Sequence, residues 1–264
     1  MRARIVAIGR GARWLGEGFA LFRVSPLGWL ALVFAYWLLM TLISVVPLLG
    51  VVAASVLVPP FSVGFMAASR AAAQGSGPEV ANLFAGFRER AATQLALGAV
   101  YTAALALLLA GTSLADGGAL ARWMLAGERP DEAMLQSDAF VGAMLTAVTL
   151  YLPVMMMFWF APVLAAWHGV NAPKALFYSF FACLMNWRAF LAYGAVTALV
   201  TVALPFVVLS AMMMASSGGA KISVLALLFP FLILLLPTLF ASFYISYRDI
   251  FAAAPGPQAP AQEV

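Results

Sequence analysis

Long apolar runs separated by short clusters of polar residues set the rhythm of this chain. Six runs stand out, at about 27–49, 51–68, 94–114, 139–167, 190–215 and 222–247. They approach or exceed the roughly 20 residues a helix needs to cross a ~30 Å hydrocarbon core. None alternates apolar and polar positions as a membrane strand would. A helix satisfies its own backbone groups in lipid, so the runs predict an all-α, polytopic membrane protein with six transmembrane helices. Residues 1–251 read as a single integral membrane domain. The remaining stretch, AAAPGPQAPAQEV at 252–264, is Pro/Ala-rich and reads as a disordered cytoplasmic tail.

Shorter amphipathic stretches precede three of the runs, and they match one another. FALFRVSPLGWLAL starts at Phe19, FAGFRERAATQLAL at Phe84 and FFACLMNWRAFLAY at Phe180. In each, a Leu stands eleven residues after the Phe, at Leu30, Leu95 and Leu191. On a 3.6-residue wheel, Trp14, Leu15, Phe19 and Phe22 oppose Arg13 and Glu17. Val80, Leu83, Phe84 and Phe87 oppose Glu79, Asn82, Glu89 and Arg90. Leu176, Phe177, Phe180, Phe181 and Leu184 oppose Lys174, Tyr178, Ser179, Ala182 and Asn186. Each stretch therefore predicts an interfacial helix whose apolar face dips into the cytoplasmic leaflet. Ser76-Gly-Pro-Glu79 and Asn171-Ala-Pro-Lys174 read as the starts of the second and third.

The run ends match as well. Pro59 to Arg70 and Pro237 to Arg248 are both eleven residues apart, with Phe65 and Phe243 in register. The same register puts Met157, Val163 and His168 in the middle copy. The pattern predicts three repeated parallel hairpins, each an interfacial helix, a span up, an external turn and a proline-containing span down. The external turns differ: tight after Pro47, long and acidic at 115–138, short and Gly-rich at Ser216–Lys221.

Composition sharpens this picture. The chain is 65% apolar and only 9% charged, against about 25% charged in a soluble globular protein. Such a chain cannot cover a water-facing surface. Its formal charge of +4 does not point to nucleic acid, because the basic residues follow topology. Arg2, Arg4, Arg10, Arg13, Arg23, Arg70, Arg88, Arg90, Lys174, Arg188 and Arg248 fall on one side. Arg122, Arg129 and Lys221 fall on the other. That bias places both termini in the cytoplasm. No cleavable signal peptide is evident, and the first run reads as an uncleaved signal anchor.

Candidate chemistry is sparse. His168, the one histidine, could serve a metal or a proton relay; an anchoring role beside Trp167 at a helix end explains it more simply. Met155–Met157 and Met212–Met214 invite a soft-metal reading, but neighbours on a helix point about 100° apart, so packing is favoured. Cys183 rules out an internal disulfide and has no nearby base in sequence. Asn186, Trp187 and Arg188 mark a junction between an interfacial helix and a span. Asp131, Glu132 and Asp138 fit no calcium-loop spacing. No Asp, Glu, Lys, Arg or His falls in the middle of a run, where proton relays and ion paths need one. Prolines 59, 60, 153, 162, 230 and 237 permit kinked helices, which keeps a transport path open as an alternative. The residues thus predict no catalytic, cofactor-binding or metal site.

The segments ARWLGEGFALFRVSPLGWLALVFAYWLL, FSVGFMAASRA, LFAGFRER and KALFYSFFACLMNWRAFLAYG carry a resemblance. The chain resembles an uncharacterised family of six-span proteobacterial inner-membrane proteins with no assigned function. The likeness runs from about Arg2 to Phe251 and is weakest at 115–138. More loosely, the hairpin is similar to membrane-only regions attached to some glycerophosphodiester phosphodiesterases. The resemblance implies the bacterial inner membrane and supplies no catalytic residue. The expectation is a non-enzymatic inner-membrane protein acting through membrane lipids or a membrane-protein partner. The alternative is a carrier or pore for a neutral or lipid-like substrate.

Overall fold

Among the described residues, six helices are long and apolar enough to cross a membrane: Pro26–Ser44, Leu49–Ala73, Ala91–Asp116, Asp138–His168, Trp187–Val207 and Ile233–Phe251. The computed structural model describes residues 3–46, 48–203, 205–207, 210 and 224–251. Among these there are helices and no strand. Pro47, Met212–Met214, the expected turn Ser216–Lys221, parts of the fifth and sixth runs, and the tail 252–264 lie outside the described residues.

In chain order the helices are α1 (Ile8–Val24), α2 (Pro26–Ser44), α3 (Leu49–Ala73), α4 (Ala85–Arg88), α5 (Ala91–Asp116) and α6 (Ala119–Ala126). There follow α7 (Glu132–Leu135), α8 (Asp138–Phe158), α9 (Ala161–His168), α10 (Ala172–Met185), α11 (Trp187–Ala198) and α12 (Val224–Phe251). The acidic stretch 115–138 is not a plain loop. The Asp116 carboxylate accepts from the N–H groups of Gly118 (2.9 Å) and Leu120 (2.7 Å) and so starts α6. Asp131 caps α7 by accepting from the Met134 N–H at 2.8 Å.

The fourth run is one span in two pieces. Pro162 sits in the first turn of α9 and has no N–H to give the turn before it. Ser179 on α10 enters that break. Its Oγ donates to the Met156 carbonyl (2.7 Å) and accepts from the Phe160 N–H (2.9 Å), standing in for the i→i−4 bond between them. α3 keeps Pro59 and Pro60 inside an unbroken helix. Pro60 leaves the Val56 carbonyl without its ladder donor, and α5 comes closest there. A Cβ on Gly98 would lie under 2 Å from that oxygen.

The three entry segments are unlike one another. α1 is a full helix, but most of its apolar face meets protein: Trp14, Leu15 and Phe22 are buried, Phe19 stays exposed, and the helix lies along α12 and α11. The second segment is a 3-10 turn at Val80–Phe84 followed by the four-residue α4. It starts one turn later than Ser76, with Glu79 as its cap: the Glu79 N–H donates to the Asn82 side chain at 2.7 Å. It ends at Arg90, whose φ of 58° is left-handed.

α10 begins where the sequence predicts, with Asn171 accepting from the Lys174 N–H at 3.3 Å. The face opposite its phenylalanines meets protein. Ala175, Ser179, Ala182 and Cys183 are buried, while Phe177, Phe181 and Leu184 are exposed. At membrane depth no hydrophobic force draws a Phe away from lipid, and small residues let backbones approach closely. The small, hydroxyl-bearing face therefore turns inward.

These segments also pack in rotation. α1 rests on the α11–α12 hairpin, the segment at 80–88 on α3 of the first hairpin, and α10 on α8 and α9 of the second. A Cβ on Gly18 of α1 would lie 2.6 Å from the Thr238 carbonyl of α12, and one on Gly64 of α3 would lie 2.6 Å from the Leu83 carbonyl. Ser179 makes the matching contact between α10 and the α8–α9 break. Each entry segment thus rests on the preceding hairpin, and the first rests on the last.

Candidate functional site

The run-ending helices α3, α8–α9 and α12 converge. Tyr36, Phe61, Phe65 and Phe240 form one aromatic group, and Phe65 stacks on Phe240 at 3.7 Å between centroids. Trp159 meets Phe243 edge-on at 4.6 Å and donates to Ser246 Oγ at 3.4 Å. Between these helices and α5 lies a cavity of about 320 Å³. Its walls include Pro59, Phe65, Met155, Val163 and Phe243, so apolar groups dominate. Prolines and bulky rings keep the helices from closing on one another. Gln94, fully buried on α5, donates through Nε2 to the carbonyl of the lining residue Pro162 at 2.8 Å.

Tyr101 of α5 and Tyr151 of α8 stand at one end of this cavity, their hydroxyls 3.3 Å apart. The same two tyrosines line a second, larger space of about 790 Å³ between α3, α5, α6 and α8. Val52, Leu105, Leu109, Met144 and Val148 make its apolar wall. The two spaces meet at the tyrosine pair.

Three side chains come together beyond the other end of the cavity. One helical turn on from Met66, Val163 and Phe243 stand Arg70, Trp167 and Tyr247. The Arg70 guanidinium lies 3.9 Å from the Trp167 ring, and Trp167 meets Tyr247 edge-on at 5.3 Å. His168 Nε2 lies 2.7 Å from the Tyr247 hydroxyl. Arg90 reaches across to donate to the Gly169 carbonyl. A more polar cleft of about 530 Å³ lies outside this cluster, lined by His168, Asn171, Lys174 and Tyr178.

A charged network at the same end ties the chain's first described residues to its last. Asp249 accepts from Trp14 Nε1 (2.9 Å) and Arg10 Nε (2.7 Å). Glu17 holds Arg10 with both carboxylate oxygens (2.8 and 3.1 Å) and Arg248 at 3.0 Å. The bond to Glu17, with Asp249 adding to it, raises the Arg10 pKa above its ordinary value against the opposing effect of burial. The Arg4 N–H donates to the Ile250 carbonyl at 3.0 Å.

The residues singled out in the sequence do not assemble into one site. Met155 lines the cavity, and Met156 supplies a carbonyl to Ser179. Cys183 is buried in the face of α10 turned to the protein, and burial raises its thiol pKa. Asn186 fastens the N-terminal segment: its Oδ1 accepts from the Val6 N–H (2.8 Å), and its Nδ2 donates to the carbonyls of Arg4 (3.1 Å) and Ala182 (2.9 Å). Trp187 is exposed, with the Arg188 guanidinium 5.4 Å from its ring. Asp131, Glu132 and Asp138 stand at the starts of α7 and α8. Sequence reasoning passed over Tyr101, Tyr151, Gln94, Glu17 and Asp249. The signal for the first was a heptad spacing from Gln94 to Tyr101, two turns along one face of α5.

A probable inner membrane protein of Burkholderia thailandensis is 40% identical to this chain over 247 residues, which are 91% of it and 90% of the relative. No family model matches the chain, and no solved structure matches it.

Proposed function

We infer a role from one premise: this chain belongs to the same family as the Burkholderia thailandensis probable inner membrane protein, a family of inner-membrane proteins with multiple apolar helices. On that premise we propose a non-enzymatic protein that works by holding membrane lipid, with both termini in the cytoplasm. One observation carries the reading. The spaces between its helices, about 320 and 790 Å³, are walled mainly by apolar side chains of membrane-spanning helices, with α6 closing one side of the larger, and the fluid beside those spans is hydrocarbon. The outward Phe177, Phe181 and Leu184 of α10 add a surface of the same character.

Isolation of the protein in native nanodiscs tests this. A lipid class enriched several-fold over the bulk membrane in repeated preparations supports it. Lipid identical to bulk together with a stoichiometric protein partner would replace it with the protein-partner reading. For orientation, reporter fusions after Phe251 should be active on the cytoplasmic side and fusions within 117–137 on the other. Alanine at His168 and Arg188 together, with the structural Asn186 left in place, should leave complementation intact if no reaction is catalysed there.

A second reading is a carrier for a neutral or lipid-like substrate. The shared border of the two spaces at Tyr101 and Tyr151 favours it, because a carrier needs compartments that can open to one another. Lipid exchange between the leaflets of proteoliposomes, faster with protein than without, would support a carrier over a holder.

A further inference from the structure

We propose that the space between α3, α8–α9 and α12 is a binding site for one acyl chain of a membrane phospholipid, entered past the Tyr101–Tyr151 pair. The proposal rests on the lipid-holding reading above and makes it specific. Three observations carry it.

The first is convergence. Phe65, Val163 and Phe243 occupy the same place in the three matching run ends, and all three line this one cavity. Each entry segment packs on the preceding hairpin around the molecule, and the first closes on the last. The arrangement is that of three related hairpins about a common axis, with the cavity between their run-ending helices. A gap shared by three matched positions follows from the architecture, whereas a packing flaw would fall at one.

The second is the shape of the path. Toward the basic end, the next turn of the same helices brings Arg70, Trp167 and Tyr247 into contact. Toward the other end the tyrosine pair borders both this cavity and the larger space beside α6, so parting the pair joins them. An elongated apolar ligand thus has an approach from the side away from the basic residues and meets a cation–aromatic cluster opposite. That shape suits a chain held by one end better than a solute passing through.

The third is the chemistry of the constriction. Two phenols 3.3 Å apart own two O–H donors, and the contact between them uses one. The remaining O–H suits an acceptor without a donor of its own, such as an ester carbonyl, in a setting where an unmet polar group is costly. The bound phospholipid therefore places its ester near the tyrosines and its hydrocarbon among Pro59, Met155 and Val163.

The test is photolabelling of the full chain in nanodiscs containing a phosphatidylethanolamine with a diazirine midway along one acyl chain, followed by peptide mapping. Label is expected on segments 58–66 and 155–163 in addition to the outward face of α10. Filling the cavity by Met155→Trp, or separately by Val58→Phe, should cut the 58–66 and 155–163 label about tenfold and leave the α10 label unchanged. Tyr101→Phe with Tyr151→Phe preserves volume and should cut the interior label about threefold. It also decides the matter if both filling variants fail to give a monodisperse peak in gel filtration.

Interior label that is absent in the wild-type chain, or unchanged in folded filling variants or in the double phenylalanine variant, overturns the site. Displacement by free palmitate but not by unlabelled phospholipid overturns the phospholipid assignment. Lipid enrichment that persists in native nanodiscs while the interior stays unlabelled defeats this inference alone. Loss of both defeats the lipid-holding reading with it.

Discussion

Asp249 shows how much one side chain holds. It accepts from the buried Trp14 N–H and from Arg10, and its neighbour Arg248 pairs with Glu17. Asp249→Ala strands a buried indole donor and the Nε–H of Arg10, at a cost of about 2–3 kcal/mol. Glu17 is about a third exposed, so Glu17→Ala should cost less than ~1 kcal/mol. Denaturant titration in one detergent should rank them in that order. Cys183 offers a pH test. Burial raises its folded pKa above the unfolded one, so its contribution is complete below the ordinary thiol pKa and is lost as pH climbs through the folded value. Stability measured from pH 7 to pH 10 should fall less in Cys183→Ala than in the wild-type chain, and native Cys183 should resist maleimide until denaturant is added. Neither residue announced its role in the sequence. Asp249 sits beside Arg248 in a rim of charges, and nothing local reveals that its partner lies 235 positions earlier.

Among elements, α1 and α10 separate what the pattern told from what it hid. Both are helices where periodicity places them, because apolar spacing is local information. Which face turns inward is not local. The wheel assigns Phe177 and Phe181 to one surface and Ser179 to the other. Whether that surface meets lipid or protein depends on the broken α8–α9 span that needs Ser179. Ser179→Ala leaves the Phe160 N–H and Met156 carbonyl without that partner, a loss of about 1–3 kcal/mol. Phe181→Leu on the outer face should move the thermal midpoint very little.

Glycines on α1 give a sharper comparison. A Cβ on Gly11 would lie 1.8 Å from the Ala189 carbonyl, whereas one on Gly16 meets nothing within 4 Å. Gly11→Ala should destabilise by at least about 2 kcal/mol. Gly16→Ala should be neutral or stabilise by up to ~1 kcal/mol. Thermal melts of the two variants side by side check both signs.

For the whole molecule, six apolar helices were plain from run length and composition, since hydrocarbon thickness dictates both. A spacing shared by the three segments was visible too, after Phe19, Phe84 and Phe180. Their order of packing was not, because a repeat in sequence does not state which neighbour each copy leans on. Nor was the space between α3, α8–α9 and α12, which depends on helices that prolines and aromatic rings hold apart.

The closure of α1 onto α11 and α12 has a consequence for biosynthesis. About 230 residues separate the end of α1 from the end of α12, so a ribosome adding roughly 5–20 residues per second leaves α1 without its berth for some 10–45 s. During that interval Trp14, Leu15 and Phe22 need another shelter, and the headgroup layer of the bilayer is at hand. The earliest helix would then float as a surface raft and dock only when the last hairpin is inserted.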